Sequence, residues 1–203
     1  EIPESILSKL KPLAHSAPDT DWFVDQLYAF AKALGASILK PRYSRYVIDL
    51  NRSPDDVSLY PGQNTTGLCP LKAFTGEAIY LDGQEPDHNE VVHRRTQYWQ
   101  PYHSALHAEL VRIKQQHGKV LLWEGHSIQP ELPFLFEGKL PDLNLGTADG
   151  ASFPNEFLNT FTDILSQQSH YTWVSNGRFK GGYITRHYAE PDARIYAFQL
   201  ELS

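Results

Sequence analysis

Residues 119–127, Lys-Val-Leu-Leu-Trp-Glu-Gly-His-Ser, turn from apolar to polar within one short stretch. Lys119 to Trp123 reads as a short buried strand, and Glu124 to Ser127 as the polar segment that abruptly follows it. Before it, a helix is expected from about Ser104 to Gln116, with Leu106, Leu110 and Ile113 inward and Gly118 as its stop. After it, a helix over roughly Asn155 to Gln167 carries Phe157, Phe161, Ile164 and Leu165 on one stripe. The tail from Arg194 to Ser203 alternates as a strand, with Ile195, Ala197, Gln199 and Glu201 on one face and Tyr196, Phe198, Leu200 and Leu202 on the other. Strands interleaved with helices point to an α/β domain with a mainly parallel sheet.

The N-terminal half continues this pattern. Phe23, Leu27, Phe30, Ala31 and Leu34 predict a helix over 21–35, with Asp21 placed to cap it and Gly35 to stop it. Ser37 to Leu50 reads as strand material with a break at Lys40-Pro41, and its apolar run Tyr46-Val47-Ile48 ends in Asp49-Leu50-Asn51-Arg52. A long loop rich in Pro, Gly, Asn and Thr follows to about Pro70, and such loops are often functional. In open α/β sheets ligands sit beyond the carboxyl ends of strands. Three strand ends here carry polar groups: Asp49-Asn51-Arg52, Glu124-His126 and Gln199-Glu201.

Composition narrows the classes. A chain of 203 residues suits one domain with its own core, and 41% hydrophobic with 21% charged residues is the balance of a globular protein. The net charge of −6 argues against a nucleic-acid binder but leaves room for a local basic pocket that takes a small acid. The single Cys69 excludes an internal disulfide, and no run approaches the roughly 18 apolar residues of a membrane span. With no secretory signal at Glu1, a reducing cytoplasm is the default expectation, and Asn64-Thr65-Thr66 is read as a chance glycosylation match. A chain without Met suggests a fragment of a longer protein.

Each candidate residue has a plain reading beside a functional one. His126 is either a hydrogen-bonded surface histidine or a metal ligand. One of Asp19 and Asp21 caps the following helix, or a carboxylate there ligates a metal. Asn51 and Arg52 could hold a carboxylate, Arg bidentately; otherwise Arg52 is solvated and pairs with Asp55 or Asp56. From Asn176 to Arg186, the cations Arg178, Lys180 and Arg186 lie among three glycines, as in an anion-binding loop or an exposed hairpin. Glu201 is a wet residue on an edge strand, or a buried carboxylate working as general base. His103 and His107 share a helix face but lack the Glu of a HExxH site, and are read as surface residues.

Taken together, the segments resemble the N-formylglutamate amidohydrolase family. The matching blocks are Asp19-Thr-Asp-Trp22, Ser44-Arg-Tyr-Val-Ile-Asp-Leu-Asn-Arg52 and Ser58 to Pro70, then Tyr98-Trp-Gln-Pro-Tyr-His103 and Gly125-His-Ser-Ile128. Leu140-Pro-Asp-Leu-Asn-Leu-Gly-Thr147 and Asn176 to Arg186 complete them, so the likeness runs nearly end to end. The resemblance implies a fold like that of zinc carboxypeptidases and aspartoacylase, with a central mixed sheet flanked by helices. It also implies one zinc ion and cleavage of N-formyl-L-glutamate to formate and L-glutamate in histidine degradation. Carried onto this chain, Asn51 and Arg52 would grip a substrate carboxylate, with Arg178, Lys180 or Arg186 for the second carboxylate or the oxyanion. His126 and Asp21 (or Asp19, or Glu1) would bind zinc, and Glu201 would be the catalytic base. The family's first zinc histidine lies in a Pro-His-x-Gly segment preceding Glu-Ile-Pro, upstream of Glu1; the family also has His where Phe23 stands and Asp where Glu124 stands. Two other readings stay open: a related zinc deacylase or carboxypeptidase for another acidic N-acyl amino acid, and an inactive module that binds acidic amino acids.

Overall fold

The computed structural model describes residues 1–59, 62 and 64–203; Tyr60, Pro61 and Gln63 of the expected loop, and of the block from Ser58 to Pro70, lie outside the described residues. The chain divides into two compact units, Glu1–Leu106 with Leu132–Glu137, and His107–Glu131 with Gly138–Ser203.

The first unit is built from helices and turns, with no strand among its described residues. Helices α1 (Glu4–Leu7), α2 (Pro12–His15) and α3 (Val24–Leu27) are short. Helix α4 (His88–Arg94) passes through a π turn, Arg95–Trp99, into α5 (Gln100–His117), whose last turns belong to the second unit. Leu10, Ala14, Tyr46, Ala73, Ile79 and Tyr80 form the core cluster.

Two sequence expectations are corrected here. Tyr46-Val47-Ile48 is buried as expected, yet it is a turn and not a strand. Its carbonyls find a side chain in place of a neighbouring strand: Arg94 donates to Tyr46 O at 3.4 Å and Val47 O at 3.1 Å. The helix expected over 21–35 is broken, with Phe23 left-handed (φ 63°), α3 only one turn long, and a 3-10 segment at Ala29–Leu34 before Gly35 (φ 81°) ends it. Asp21 does not cap it; Phe23 occupies that position without a side-chain bond. Phe23, Leu27, Phe30 and Leu34 stay exposed, because periodicity says which residues can share a face and not that the face is covered.

Helix α5 starts earlier than expected and ends at Gly118 (φ 72°), with Leu106 and Leu110 buried. His103, expected at the surface, is buried against Trp99, whereas His107 is exposed. Cys69 is buried, and desolvation pushes its thiol up to about 11 despite the nearby Arg94. No helix among the described residues is long and apolar enough to cross a membrane.

The second unit holds the sheet. Strands β1 (Val120–Ser127), β2 (Leu143–Gly146), β3 (Trp173–Ser175) and β4 (Ile195–Leu202) lie in the order β1-β4-β2-β3. β1 with β4 and β2 with β3 are parallel, and β2 with β4 is antiparallel, so the sheet is mixed and mainly parallel. Helix α6 (Asn155–Ser166) lays Leu158 and Phe161 against Leu145, Phe153, Phe198 and Leu200. Of its expected stripe, Phe157 and Ile164 remain exposed. The alternation of β4 holds, with Tyr196, Phe198, Leu200 and Leu202 in this apolar cluster. One boundary moves: Glu124 to Ser127 continue β1 instead of following it.

Arg94 is 1% exposed and joins Glu90, Tyr80 Oη (2.8 Å) and the two carbonyls of the Tyr46 turn. Removing a buried ion-pair member leaves its partners uncompensated, typically at about 3–5 kcal/mol. Arg94→Met is expected to lower the urea midpoint by that equivalent with an unchanged m-value; a loss below about 1 kcal/mol would contradict this role.

Candidate active site

Register across the sheet gathers polar side chains on one face. Glu124 of β1 pairs with Gln199 of β4, which pairs with Gly146 of β2; in the next row His126, Glu201 and Asn144 are opposed in the same way. Paired residues share a face on strands about 4.8 Å apart. Glu124, Asn144, Gln199 and Glu201 are all buried, so this face is desolvated and polar while the opposite one is apolar. β4 is an inner strand, which sets aside the wet-edge reading of Glu201.

Desolvated polar groups must find partners. Glu124 Oε1 lies 2.7 Å from His126 Nε2, and Oε2 accepts from Thr185 Oγ1 at 2.7 Å. Thr185 is fully buried on α7 (Tyr183–Tyr188). In this pair His126 donates from Nε2 and the Glu124 carboxylate oxygen accepts. Gln199 Oε1 accepts from Gly182 N at 2.7 Å. Asn144 Nδ2 donates to Pro141 O at 2.6 Å and Glu201 O at 3.4 Å, while its buried Oδ1 has no partner among the described residues. Such a face can position an imidazole and a carboxylate side by side for proton transfer.

The segment from Asn176 to Thr185 is half-buried or buried and no exposed hairpin, and only Arg186 at its end is exposed. Its bare backbone approaches the end of β2: a Cβ on Gly146 would stand 2.7 Å from Gly181 N and 2.8 Å from Lys180 C. Asn176, left-handed at φ 52°, accepts from Thr147 N and donates to Thr147 Oγ1, each at 2.8 Å. Lys180 Nζ is 3.1 Å from Asp149, and Arg186 Nε donates to Gly181 O at 2.9 Å. Arg178 lies 5.6 Å from the Phe179 ring centre.

In the first unit, Asp49 organises the turn that carries Asn51 and Arg52. Its Oδ1 accepts from Asn51 N at 2.9 Å, and its Oδ2 pairs with Arg45 and lies 3.9 Å from Arg52 Nη1. Arg52 does not pair with Asp55 or Asp56 among the described contacts. Its guanidinium donates to neutral oxygens: Thr66 O (2.7 Å), Asn51 O (3.0 Å) and Thr66 Oγ1 (3.2 Å). It borders a cavity of about 150 Å³ shared with Asp56, Ser58, Thr65, Thr66 and Gly67. Asp19 is structural, accepting from Tyr46 Oη (2.7 Å) and Phe74 N (2.8 Å). Asp21 is exposed, and its charge acts on Arg45.

The sequence model of the N-formylglutamate amidohydrolase family matches residues 1–203. The chain belongs to that family. It is 47% identical over 202 residues to an N-formylglutamate deformylase of Pseudomonas putida, an alignment that covers all of this chain and 75% of the relative. A deformylase of the same name from Pseudomonas aeruginosa is 46% identical over 190 residues, covering 94% of this chain and 71% of the relative. In fold the chain is similar to the crystal structure of N-formylglutamate amidohydrolase from Ralstonia eutropha JMP134, with a TM-score of 0.74 at 26% identity, over 90% of this chain and 69% of that one.

Zinc, which the resemblance to this amidohydrolase family implies, takes three protein donors plus a water in catalytic sites. Within either unit, among the described residues, no three His, Cys, Asp or Glu side chains gather to hold a metal ion. His126 and Glu124 supply two donors that are spent on each other. These residues do not by themselves fit a catalytic zinc. From sequence, Glu124 and Gln199 stand as polar groups at two strand ends, whereas nothing local assigns a role to Thr185 or Asn144, whose partners Glu124 and Glu201 lie far along the chain.

Burial pushes the Asp49 carboxyl up, but Arg45, Arg52 and the Asn51 N–H outweigh it and leave it below its ordinary 3.8. A carboxyl depressed by folding contributes stability above its ordinary value and loses it as the pH falls through the folded one. The urea midpoint is therefore expected to fall as the pH drops below about 3.8, and Asp49→Asn to start lower at pH 7 and decline less steeply in that window. Parallel curves for the two proteins would contradict this.

Proposed function

We propose that this chain hydrolyses N-formyl-L-glutamate to formate and L-glutamate, as a step of histidine degradation in the cytoplasm. Membership of the amidohydrolase family and two relatives named deformylases support the reaction class. The observation that carries the reading is the row His126–Glu201–Asn144, which buries a carboxylate beside an imidazole on the inner strand.

In this reading Glu201 takes the proton of a water as its oxygen attacks the formyl carbon. The carbonyl becomes a tetrahedral oxyanion. Glu201 then returns the proton to the amide nitrogen as the C–N bond breaks, releasing formate and the free amine. Asn51 and Arg52 hold a carboxylate of the glutamate moiety, a role supported by the neutral oxygens that fix the Arg52 guanidinium. Arg178, Lys180 and Arg186 are the cations for the second carboxylate or the oxyanion, and Lys180 would exchange its partly exposed pairing with Asp149. A substrate with a neutral tail leaves these charges unpaired, which selects acidic amides.

The test is formate release from N-formyl-L-glutamate, compared with N-formyl-L-aspartate and N-acetyl-L-aspartate. N-formyl-L-glutamate is expected to be the best of the three, and no turnover would reject the reading. Glu201→Gln is expected to cut kcat by at least about 100-fold with the circular dichroism unchanged. Zinc is a separate proposal carried by the family resemblance alone, which nominates His126 and Asp21 as donors and requires a further one. Elemental analysis of the purified protein is expected to find about one zinc per chain, and full turnover by protein that holds none would reject that part alone.

A further inference from the structure

We propose that Arg95, Trp99 and His103 are positioning residues that set the loop Leu50–Pro54 from behind, fixing the backbone from which Asn51 and Arg52 project. The proposal rests on the reading of those two residues as the substrate's carboxylate clamp. Three side chains, each four residues from the next, each give an N–H to a backbone carbonyl of that loop. His103 Nε2 is 2.9 Å from Leu50 O, Trp99 Nε1 donates to Arg52 O at 3.1 Å, and Arg95 Nη1 donates to Pro54 O at 3.1 Å. A carbonyl oxygen only accepts, so Nε2 of His103 carries its proton. The order is reversed, 103 to 50 and 95 to 54, so the helix runs antiparallel to the loop and serves every second carbonyl.

The helix is built for this spacing. Over eight residues an α-helix drifts by about 80°, which would carry Arg95 and His103 onto different faces. The π turn at Arg95–Trp99 is wound more widely and counteracts the drift. Trp99 and His103 stack with ring centres 3.6 Å apart, and both are buried, so their rotamers are held by packing. Each side of the contact satisfies the other: a buried indole or imidazole N–H needs an acceptor, and a loop outside any sheet needs donors for its carbonyls.

On its other flank the loop is held by Asp49 at Asn51 N and by Thr66 at the Arg52 guanidinium. With both sides fixed, substrate binding does not bear the entropy of ordering this backbone. Loosening one rung therefore weakens binding and leaves the chemical step alone, which appears in KM and not in kcat.

Trp99→Phe keeps an aromatic ring in a smaller form and removes the N–H, His103→Phe replaces the imidazole with a ring that has no donor, and His103→Gln restores a donor. Half-buried Arg95→Met tests the outer rung if the core variants fold poorly. Trp99→Phe and His103→Phe are expected to raise KM for N-formyl-L-glutamate and the dissociation constant of L-glutamate about 5-fold each, the size of one lost hydrogen bond, with kcat within twofold. His103→Gln is expected to recover most of that loss. Amide hydrogen exchange at residues 50–53 of the unliganded protein is expected to speed up in Trp99→Phe and Arg95→Met; this readout stands even if N-formyl-L-glutamate is not the substrate, so failure of the functional reading is told apart from failure of the ladder. Wild-type exchange at 50–53 together with wild-type KM in these variants would overturn the proposal, as would a fall in kcat at constant KM.

Discussion

The register between β1 and β4 is the constraint on which the second unit depends. Val120 to Ser127 pair in parallel with Ile195 to Leu202 without interruption. Because strand side chains alternate, a slip of one residue would send Glu201 and Gln199 into the aromatic cluster under α6 and bring Phe198 and Leu200 to the polar face. Burial of Phe198 therefore fixes where Glu201 stands. The apolar and the polar side of this sheet are one decision.

The first unit meets the demand for partners of buried backbone groups without a strand among its described residues. Arg94 serves the carbonyls of Tyr46 and Val47, and side chains of the next helical turns serve Leu50, Arg52 and Pro54. Side-chain donors fix single points of a chain where a ladder of strands would impose regular alternation. That leaves the Asn51–Arg52 turn irregular yet held, the form in which two adjacent side chains can be aimed.

What was legible in the sequence follows from the range of the forces involved. The alternation of β4 and the glycine stop of α5 are local, and both hold. The sequence predicts Glu124 as a polar end beyond a strand because a charge usually leaves the core; it stays inside because His126 and Thr185 occupy both its oxygens, and Thr185 lies far along the chain. The turn at Tyr46 has no local signal for the same reason, since Arg94 is distant in sequence. Nothing near His103 in sequence announces Leu50, which is why a surface position is expected for it and a buried one found. Asn51, Arg52, His126 and Glu201 are candidates by their place at polar strand ends and again by the family resemblance, whereas their hydrogen-bonded surroundings need coordinates.

The seclusion of Cys69 has a practical side. With its thiol raised to about 11 by burial, the reactive thiolate is on the order of one molecule in ten thousand at neutral pH. The chain has no other cysteine. A cysteine introduced at the surface would thus meet almost no competition from the native one, so fluorophores or spin labels could be attached at chosen points without first removing a native residue.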